Sequence, residues 1–269
     1  MQRKSWLLAG SVLVLLVLAA CGGKTQTTPP AEQEGQIGPF DWERDPNAII
    51  VRLDARMVDG PPAVDLNSIP PCTIWGDGRV VWSVTNADGS ETILEGRIDE
   101  ETMRGFLEEI INRGFYTWED ELVPPSYEEP VMESVTVMLY GQAHTVRRYT
   151  SWPQNSYIRI LESCQQLSDA PVLVEPTAGW VSAYATPLDE EAPSWIWWQD
   201  APFTLHELAA NKESRWLEGP LATEIWRSAR EGRDDIQVWE RNPNGGGFDA
   251  FYVAIVAPGY SRDATPPPQ

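Results

Sequence analysis

The stretch CTIWGDGRVVWSV, residues 72–84, places two β-prone runs on either side of Gly76-Asp77-Gly78. A glycine-rich turn between runs of Ile, Val and Trp predicts a tight β-hairpin. Strands joined by so short a turn run antiparallel, because parallel strands need a long crossover connection. This stretch therefore predicts that the fold is built on an antiparallel sheet.

The same pattern recurs on both sides of this hairpin. Upstream, IIVRLDARM (residues 49–57) alternates apolar and polar positions, which is the period of a half-buried strand. Downstream, Asp88-Gly89 turns the chain into a further short strand, and a second hairpin is predicted around Gly141-Gln142. The first part of the chain is therefore expected to be a set of linked hairpins.

Two amphipathic helices interrupt these hairpins. The first follows Asp99, a favourable N-cap, ends at Arg113-Gly114, and repeats apolar residues at Met103, Phe106, Leu107, Ile110 and Ile111. The second, within residues 155–169, places on one face Tyr157, Ile160, Leu161, Cys164 and Leu167. Antiparallel hairpins that alternate with helices predict an α+β fold and not a doubly wound parallel sheet.

The chain beyond residue 169 carries its own strand and helix signals. These are the run SWIWWQD (194–200), a capping box at Thr204 and Glu207, a helix from Pro220 towards Gly232, and a terminal hairpin before residue 260. We therefore predict two packed modules, residues 48–169 and 170–260. Residues 261–269, rich in proline, are predicted to be a disordered tail.

The N-terminus has the layout of a secretory signal. Arg3 and Lys4 precede an apolar run of about 15 residues, which is short for a membrane span of roughly 20. Residues 1–20 are therefore predicted to be a signal peptide. Residues 21–47, rich in Gly, Pro, Thr and Gln, are predicted to be a flexible tether.

The tetrad Leu18-Ala19-Ala20-Cys21 resembles the lipobox of bacterial lipoproteins. The resemblance implies cleavage before Cys21 and a diacylglyceryl group on its thiol, with further acylation giving a stable anchor. The alternative is an uncleaved membrane helix. Either arrangement implies that the rest of the chain is attached to the cell membrane and faces outside the cytoplasm.

A second resemblance covers about residues 46–169. The pattern C-x-I-x-G-D-G-x-V at 72–80, the helix ending in Gly114-Phe115-Tyr116, and the strand pair at 135–146 are similar to a small domain family of bacterial secreted proteins and lipoproteins. That family has no established function, so the resemblance implies no activity and no catalytic residues.

The charge of the chain excludes one class of partner. The formal net charge is −20, and loss of residues 1–20 removes two basic and no acidic side chains, giving −22. A protein this acidic is repelled by nucleic acid and by anionic lipid. We therefore predict no nucleic-acid partner, and membrane contact only through the lipid on Cys21.

Two cysteines remain once Cys21 is assigned to lipid. An extracytoplasmic location permits a disulfide between Cys72, at the start of a strand, and Cys164, on the buried face of a helix. Two small buried thiols are the alternative, and the sequence leaves both open.

The remaining chemical motifs are weak. His144 and His206 lie in different modules without ligand spacing, so neither a metal site nor a cofactor is predicted. Residues 86–95 resemble part of a calcium loop but lack its first ligand, and they are interpreted as a hairpin turn. The acidic segment at 118–121 is interpreted as solvated surface, although paired carboxylates are what glycoside cleavage needs.

Tryptophan is the most unusual feature of the composition, with thirteen residues. In a strand, Trp195 and Trp197 would share one face and Trp198 would lie on the other, so the run is either a binding platform or is buried between the modules. We therefore expect a non-catalytic interaction or binding module of the cell envelope, with an unknown protein or glycan as partner. The alternatives are a glycan-binding module that uses the tryptophans and a hydrolase of envelope polymers.

Overall fold

The hairpin at residues 72–84 lies in the middle of a seven-stranded sheet, which we call sheet A. The computed structural model describes residues 39–57, 61–125, 130–149, 151–231 and 236–262. The strands of sheet A are β1 (Ile49–Met57), β2 (Cys72–Trp75), β3 (Arg79–Thr85), β4 (Glu91–Arg97), β5 (Val131–Leu139), β6 (Gln142–Arg148) and β7 (Val172–Leu173). They lie in the order β6-β5-β1-β2-β3-β4-β7, and each neighbouring pair is antiparallel.

A second, five-stranded sheet, sheet B, follows in the chain. Its strands are β8 (Ala178–Thr186), β9 (Ser194–Ile196), β10 (Arg215–Glu218), β11 (Gln237–Arg241) and β12 (Phe248–Val256), in the order β10-β8-β12-β11-β9. The helices are α1 (Pro62–Asn67), α2 (Glu100–Asn112), α3 (Ser156–Gln165), α4 (Leu205–Asn211) and α5 (Pro220–Ser228). The expected α+β class is confirmed, and the one parallel strand pair is β9 with β11 in the part of the chain described.

The two glycines of the first turn have different physical roles. Gly78 has a φ of +82°, a left-handed conformation that glycine adopts without steric cost. Gly76 is needed for close packing, because a Cβ there would lie 2.0 Å from the carbonyl oxygen of Glu43. The turn therefore requires a glycine at both positions.

Helix α2 packs on one face of sheet A as its sequence predicts. The Asp99 carboxylate accepts a hydrogen bond from the Thr102 backbone N–H at 2.8 Å, and Gly114 leaves the helix with a φ of +85°. The helix buries Met103, Phe106, Leu107 and Ile110. At about 1.5–3 kcal/mol for each buried side chain, this face contributes far more than helix propensity does.

The two sheets share a hydrophobic core. Strand β3 turns Val80 and Trp82 towards the helices α2 and α3, and Val81 towards the other side. Val81 packs there in one cluster with Trp75 and Ile93 of sheet A and with the apolar residues of sheet B and α5. Residues 48–169 and 170–260 therefore lie around a common core, and the described chain from residue 39 forms one compact unit.

The folded region extends further at both ends than the sequence predicts. Residues 21–47 were expected to be a flexible tether, but Phe40 and Trp42 are buried against α2 with the Arg104 guanidinium over their rings. Residues 261–269 were expected to be disordered, but Ser261 and Arg262 are buried. Both expectations are wrong at these residues, because side chains from the two ends fill the edges of the core. The remaining tail lies outside the described residues.

Smaller differences concern the ends of elements. The second hairpin turns at Tyr140-Gly141, both with positive φ, one residue earlier than predicted. Helix α5 ends at Ser228 instead of continuing towards Gly232, and the short elements α1, β7 and β10 are not apparent in the sequence pattern. Within the described ranges, no helix combines the length and the apolar character needed to cross a membrane. The lipobox and Cys21 lie outside those ranges.

Candidate functional site

A cavity of about 320 Å³ lies between the two sheets and is the best-formed concave site in the part of the chain that the structure describes. Helix α1, the β3–β4 hairpin, the C-terminal end of α5 and strand β12 contribute its walls. Pockets that hold small molecules begin at about 300 Å³, so the cavity is large enough for one.

The cavity wall combines aliphatic and aromatic side chains with polar ones. Helix α1 contributes Ala63 and Val64, helix α5 contributes Ile225, and the aromatic side chains are Trp195 and Tyr252. The Trp195 indole N–H donates to the Ser228 hydroxyl at 3.0 Å, which holds the ring against α5. The Asn67 amide, also in the wall, donates to the Val253 carbonyl and accepts from the Ile255 N–H. These hydrogen bonds fix the positions of the Trp195 and Asn67 side chains in the wall.

Arg230 is the unusual member of the wall. Its side chain is 6% exposed, and its guanidinium lies over the Trp226 ring, 4.1 Å from the ring centre. Its Nε and Nη2 are closed to water and have no hydrogen-bond acceptor within the described ranges. Nη1 donates a long bond of 3.3 Å to the Ala229 carbonyl. A buried guanidinium is therefore left with most of its donors unused.

Only one carboxylate lies near Arg230 in the described structure. The Glu91 Oε2 atom is 3.7 Å from Nε, beyond hydrogen-bond distance, while the Glu91 backbone N–H donates to the Arg230 carbonyl at 2.8 Å. Burial lowers the pKa of Arg230 to about 10, and the Glu91 charge offsets only part of that effect. The guanidinium still carries its positive charge at neutral pH.

Local sequence explains how Arg230 reaches this position. Gly219 and Pro220 start α5, whose apolar residues include Leu221, Ile225 and Trp226. Arg230 follows Trp226 by four residues, which would place it on the same buried face if the helix continued. A basic residue in register with the apolar face of a short predicted helix was the available signal, and Arg230 was not predicted from it.

The tryptophan run is divided between core and surface. Trp197 is buried, donates its indole N–H to the Phe203 carbonyl at 3.2 Å, and lies 6.0 Å from the partly buried Trp195 ring. Trp198 and Ile196 point the other way and are 46% and 57% exposed. The three tryptophans therefore do not form one platform. Trp195 belongs to the cavity, Trp197 to the core and Trp198 to the surface.

The structure joins Cys72 and Cys164 by a disulfide with a Cα–Cα distance of 6.5 Å. Both residues are fully buried in the cluster between sheet A and its helices. The bond fastens α3 to β2 at the centre of the sheet. It lies in that cluster and takes no part in the cavity wall.

The two histidines have unlike surroundings. His144 packs edge-on against Phe115 at 5.0 Å. His206, at the start of α4, lies between two carboxylates: Nδ1 is 2.5 Å from Glu240 and Nε2 is 2.7 Å from Asp249. Burial lowers the pKa of His206, but its hydrogen bonds to Asp249 and Glu240 outweigh that effect and raise the pKa overall. Sequence spacing gave no indication of this triad.

The acidic segments singled out in the sequence are accounted for by arginine contacts and by a turn. In the segment 118–121, Asp120 accepts from the Arg147 backbone N–H at 2.7 Å, and Glu121 pairs with Arg148 at 2.6 Å. The region 86–95 belongs to a hairpin, as predicted, with the turn at residues 86–90 and the rest in β4. Across the described residues, no group of three or more His, Cys, Asp or Glu side chains is arranged to hold a metal ion.

Comparison with known proteins adds no relationship. No protein-family model, no curated protein and no solved structure matches the chain.

Proposed function

We propose that this protein is a lipid-anchored, extracytoplasmic binding protein of the cell envelope, with its ligand site in the cavity between the two sheets. The observation that carries the proposal is the cavity itself, about 320 Å³ and walled by side chains that neighbouring groups hold in place. The lipobox at residues 18–21 supports the anchor, and the buried disulfide suits an oxidising compartment.

A binding role fits the cavity better than catalysis. The titratable side chains among its described wall residues are Glu91, Arg230 and Tyr252. General acid–base chemistry needs a group that titrates near neutral pH or a pair of carboxylates, and this wall offers neither arrangement. The proposal therefore assigns the protein a binding role and no reaction.

The ligand site is tested by ligand-observed NMR on the full chain in detergent, with a mixture of neutral and charged small molecules. Val64→Phe, which places a large ring in the cavity wall, should abolish the binding that the unmodified chain shows. Val123→Phe, at a residue that is 79% exposed, is the control and should leave binding unchanged. Absence of any bound compound, or binding that survives Val64→Phe, would contradict the proposal.

The anchor is tested separately with Cys21→Ser. We expect loss of lipid labelling and of membrane retention, because the acyl chains supply the membrane affinity. Unchanged labelling and retention would show that the anchor lies elsewhere.

Exposure of Trp198 and Ile196 favours a second candidate, a glycan-binding module. A flat indole can stack on a sugar ring, so Trp198→Ala should reduce binding on a glycan array. An array without binding by the unmodified chain would remove this candidate.

A further inference from the structure

Arg230 is a buried side chain whose hydrogen-bond donors are not all matched by acceptors among the described residues. Its side chain is 6% exposed, and Nε and Nη2 have no acceptor in the described part of the chain. A buried charge without hydrogen bonds is costly, and the structures that tolerate one provide a partner for it. The only carboxylate near it among the described residues, that of Glu91, stands 3.7 Å from Nε.

Arg262 shows how the same chain treats a buried guanidinium that has a purely structural role. Its side chain is 3% exposed, yet it donates to both carboxylate oxygens of Asp54, to Asp65 and to the Ala55 carbonyl. Each of the three guanidinium nitrogens of Arg262 donates at least one hydrogen bond. At Arg230, by contrast, the two nitrogens of one edge of the guanidinium have no acceptor among the described residues.

The Nε and Nη2 groups of Arg230 have the geometry to bind a carboxylate. Nε and Nη2 form the side edge of the guanidinium, whose two parallel N–H groups fit the two oxygens of a carboxylate. Arg230 belongs to the wall of the cavity, and the same wall presents the Trp195 and Tyr252 rings with apolar side chains of α1 and α5. The wall thus combines one cation, Arg230, and one carboxylate, Glu91, with aromatic, aliphatic and neutral polar side chains.

We propose that the ligand of the cavity is a small organic acid, with one carboxylate that pairs with Arg230 and an apolar or aromatic body that packs against Trp195. The inference rests on the proposed function, since it concerns the same cavity. Because the Glu91 carboxylate already lies 3.7 Å from Nε, a monoanion meets less repulsion here than an inorganic dianion would. Because Nε and Nη2 are closed to water, binding requires a wall side chain to shift.

The net negative charge of the protein limits which anions can bind in the cavity. A chain with a net charge of −20 repels anions in general, so an anion that binds must find a local cation. Surface arginines such as Arg147 and Arg227 already pair with carboxylates. Arg230 is the buried cation that the cavity provides.

The test compares benzoate with benzamide, its neutral isostere, by ligand-observed NMR and thermal shift on the full chain in detergent. We expect benzoate to bind at least about tenfold more tightly than benzamide, because charge-assisted bidentate bonds are about twice as strong as neutral ones. Arg230→Met should remove this preference. Inorganic phosphate should not compete, since it has no apolar body.

Two further variants keep the test decisive if Arg230→Met does not fold. Val64→Phe fills the cavity and leaves Arg230 in place, so it should abolish benzoate binding. Glu91→Gln removes the competing carboxylate, so it should tighten benzoate binding. Unchanged or weaker binding in Glu91→Gln would mean that Glu91 is not a competitor and would overturn the assignment of Arg230.

The outcomes separate this inference from the proposed function. If benzoate and benzamide bind equally and Val64→Phe abolishes both, the cavity is a ligand site and the organic-acid inference is wrong. If phosphate displaces benzoate, the ligand class is an inorganic anion and the inference is also wrong. If benzoate fails to bind the folded chain while other compounds bind in a Val64-dependent way, only the inference fails.

Discussion

Replacing Arg262 by methionine should destabilise the protein strongly, although the residue lies in a segment that its sequence assigns to a disordered tail. The Arg262 guanidinium is 3% exposed and donates to the Asp54 carboxylate through Nε at 2.8 Å and through Nη2 at 2.5 Å. It also donates to Asp65 at 2.8 Å and to the Ala55 carbonyl at 2.9 Å. The contacts join the C-terminal segment to β1 and α1.

The magnitude follows from what Arg262→Met leaves behind. Asp54 is 12% exposed in its side chain, so the substitution leaves a buried carboxylate without its main partner. Removal of one partner from a buried ion pair costs about 3–5 kcal/mol. The second arginine near Asp54 supplies a matched control, because Arg56 approaches Asp54 at 3.4 Å with a side chain that is 43% exposed. Arg56→Met should cost no more than about 1 kcal/mol.

Urea denaturation with the disulfide intact measures both losses. We expect a lower midpoint for Arg262→Met with an unchanged slope, and a small shift for Arg56→Met. The double variant Asp54→Asn with Arg262→Met should lose less than the sum of the single variants, because the two groups interact directly. A loss below about 1 kcal/mol for Arg262→Met, or equal losses for Arg262→Met and Arg56→Met, would refute the structural role of the C-terminal segment.

Three further predictions concern the triad, the disulfide and the tryptophan run. The pKa of His206 is raised in the folded state, so its stabilising effect is complete below its ordinary pKa of about 6.5 and is lost as the pH rises through the raised value. His206→Gln should therefore flatten the pH dependence of thermal stability in that range, and an unchanged profile would count against the triad. Reduction of the bond between Cys72 and Cys164, which are 92 residues apart, should lower the stability by about 4–5 kcal/mol in the chain-entropy model, as measured by urea denaturation with and without reductant. Alkylation of both thiols in unreduced, denatured protein would mean that the bond is not formed. Trp198→Phe should reduce the fraction of fluorescence that acrylamide quenches and Trp197→Phe should increase it, because Trp198 is 46% exposed and Trp197 4%. Equal effects of the two variants would contradict the division between core and surface.

The hairpins and helices could be predicted because their signals are local. Asp99 and Gly114 bound α2, and the 3.6-residue period of its apolar side chains identifies the buried face. Turn glycines such as Gly78 mark the strand ends in the same way. Elements without such signals, among them α1 and β7, were missed, because two to six residues contain too little pattern to identify them.

The candidate site could not be predicted, because it depends on contacts between distant parts of the chain. Arg230 meets Glu91, which lies 139 positions earlier in the sequence, and the cavity wall needs α1 as well. His206 likewise finds its two carboxylates on β11 and β12. Side chains that far apart in sequence carry no mutual spacing that a pattern search can detect.

The sequence by itself determined the α+β class, the turns and the helix faces of this protein, since period and capping act within a few residues. Only the tertiary structure decided that the two halves share one core, that Arg262 and Trp42 are buried, and that Arg230 lines a cavity. The physical reason is that burial depends on which surfaces meet. An arginine just after a short helix is ordinary in sequence, and it becomes a candidate binding group only where packing removes water and leaves its donors without acceptors.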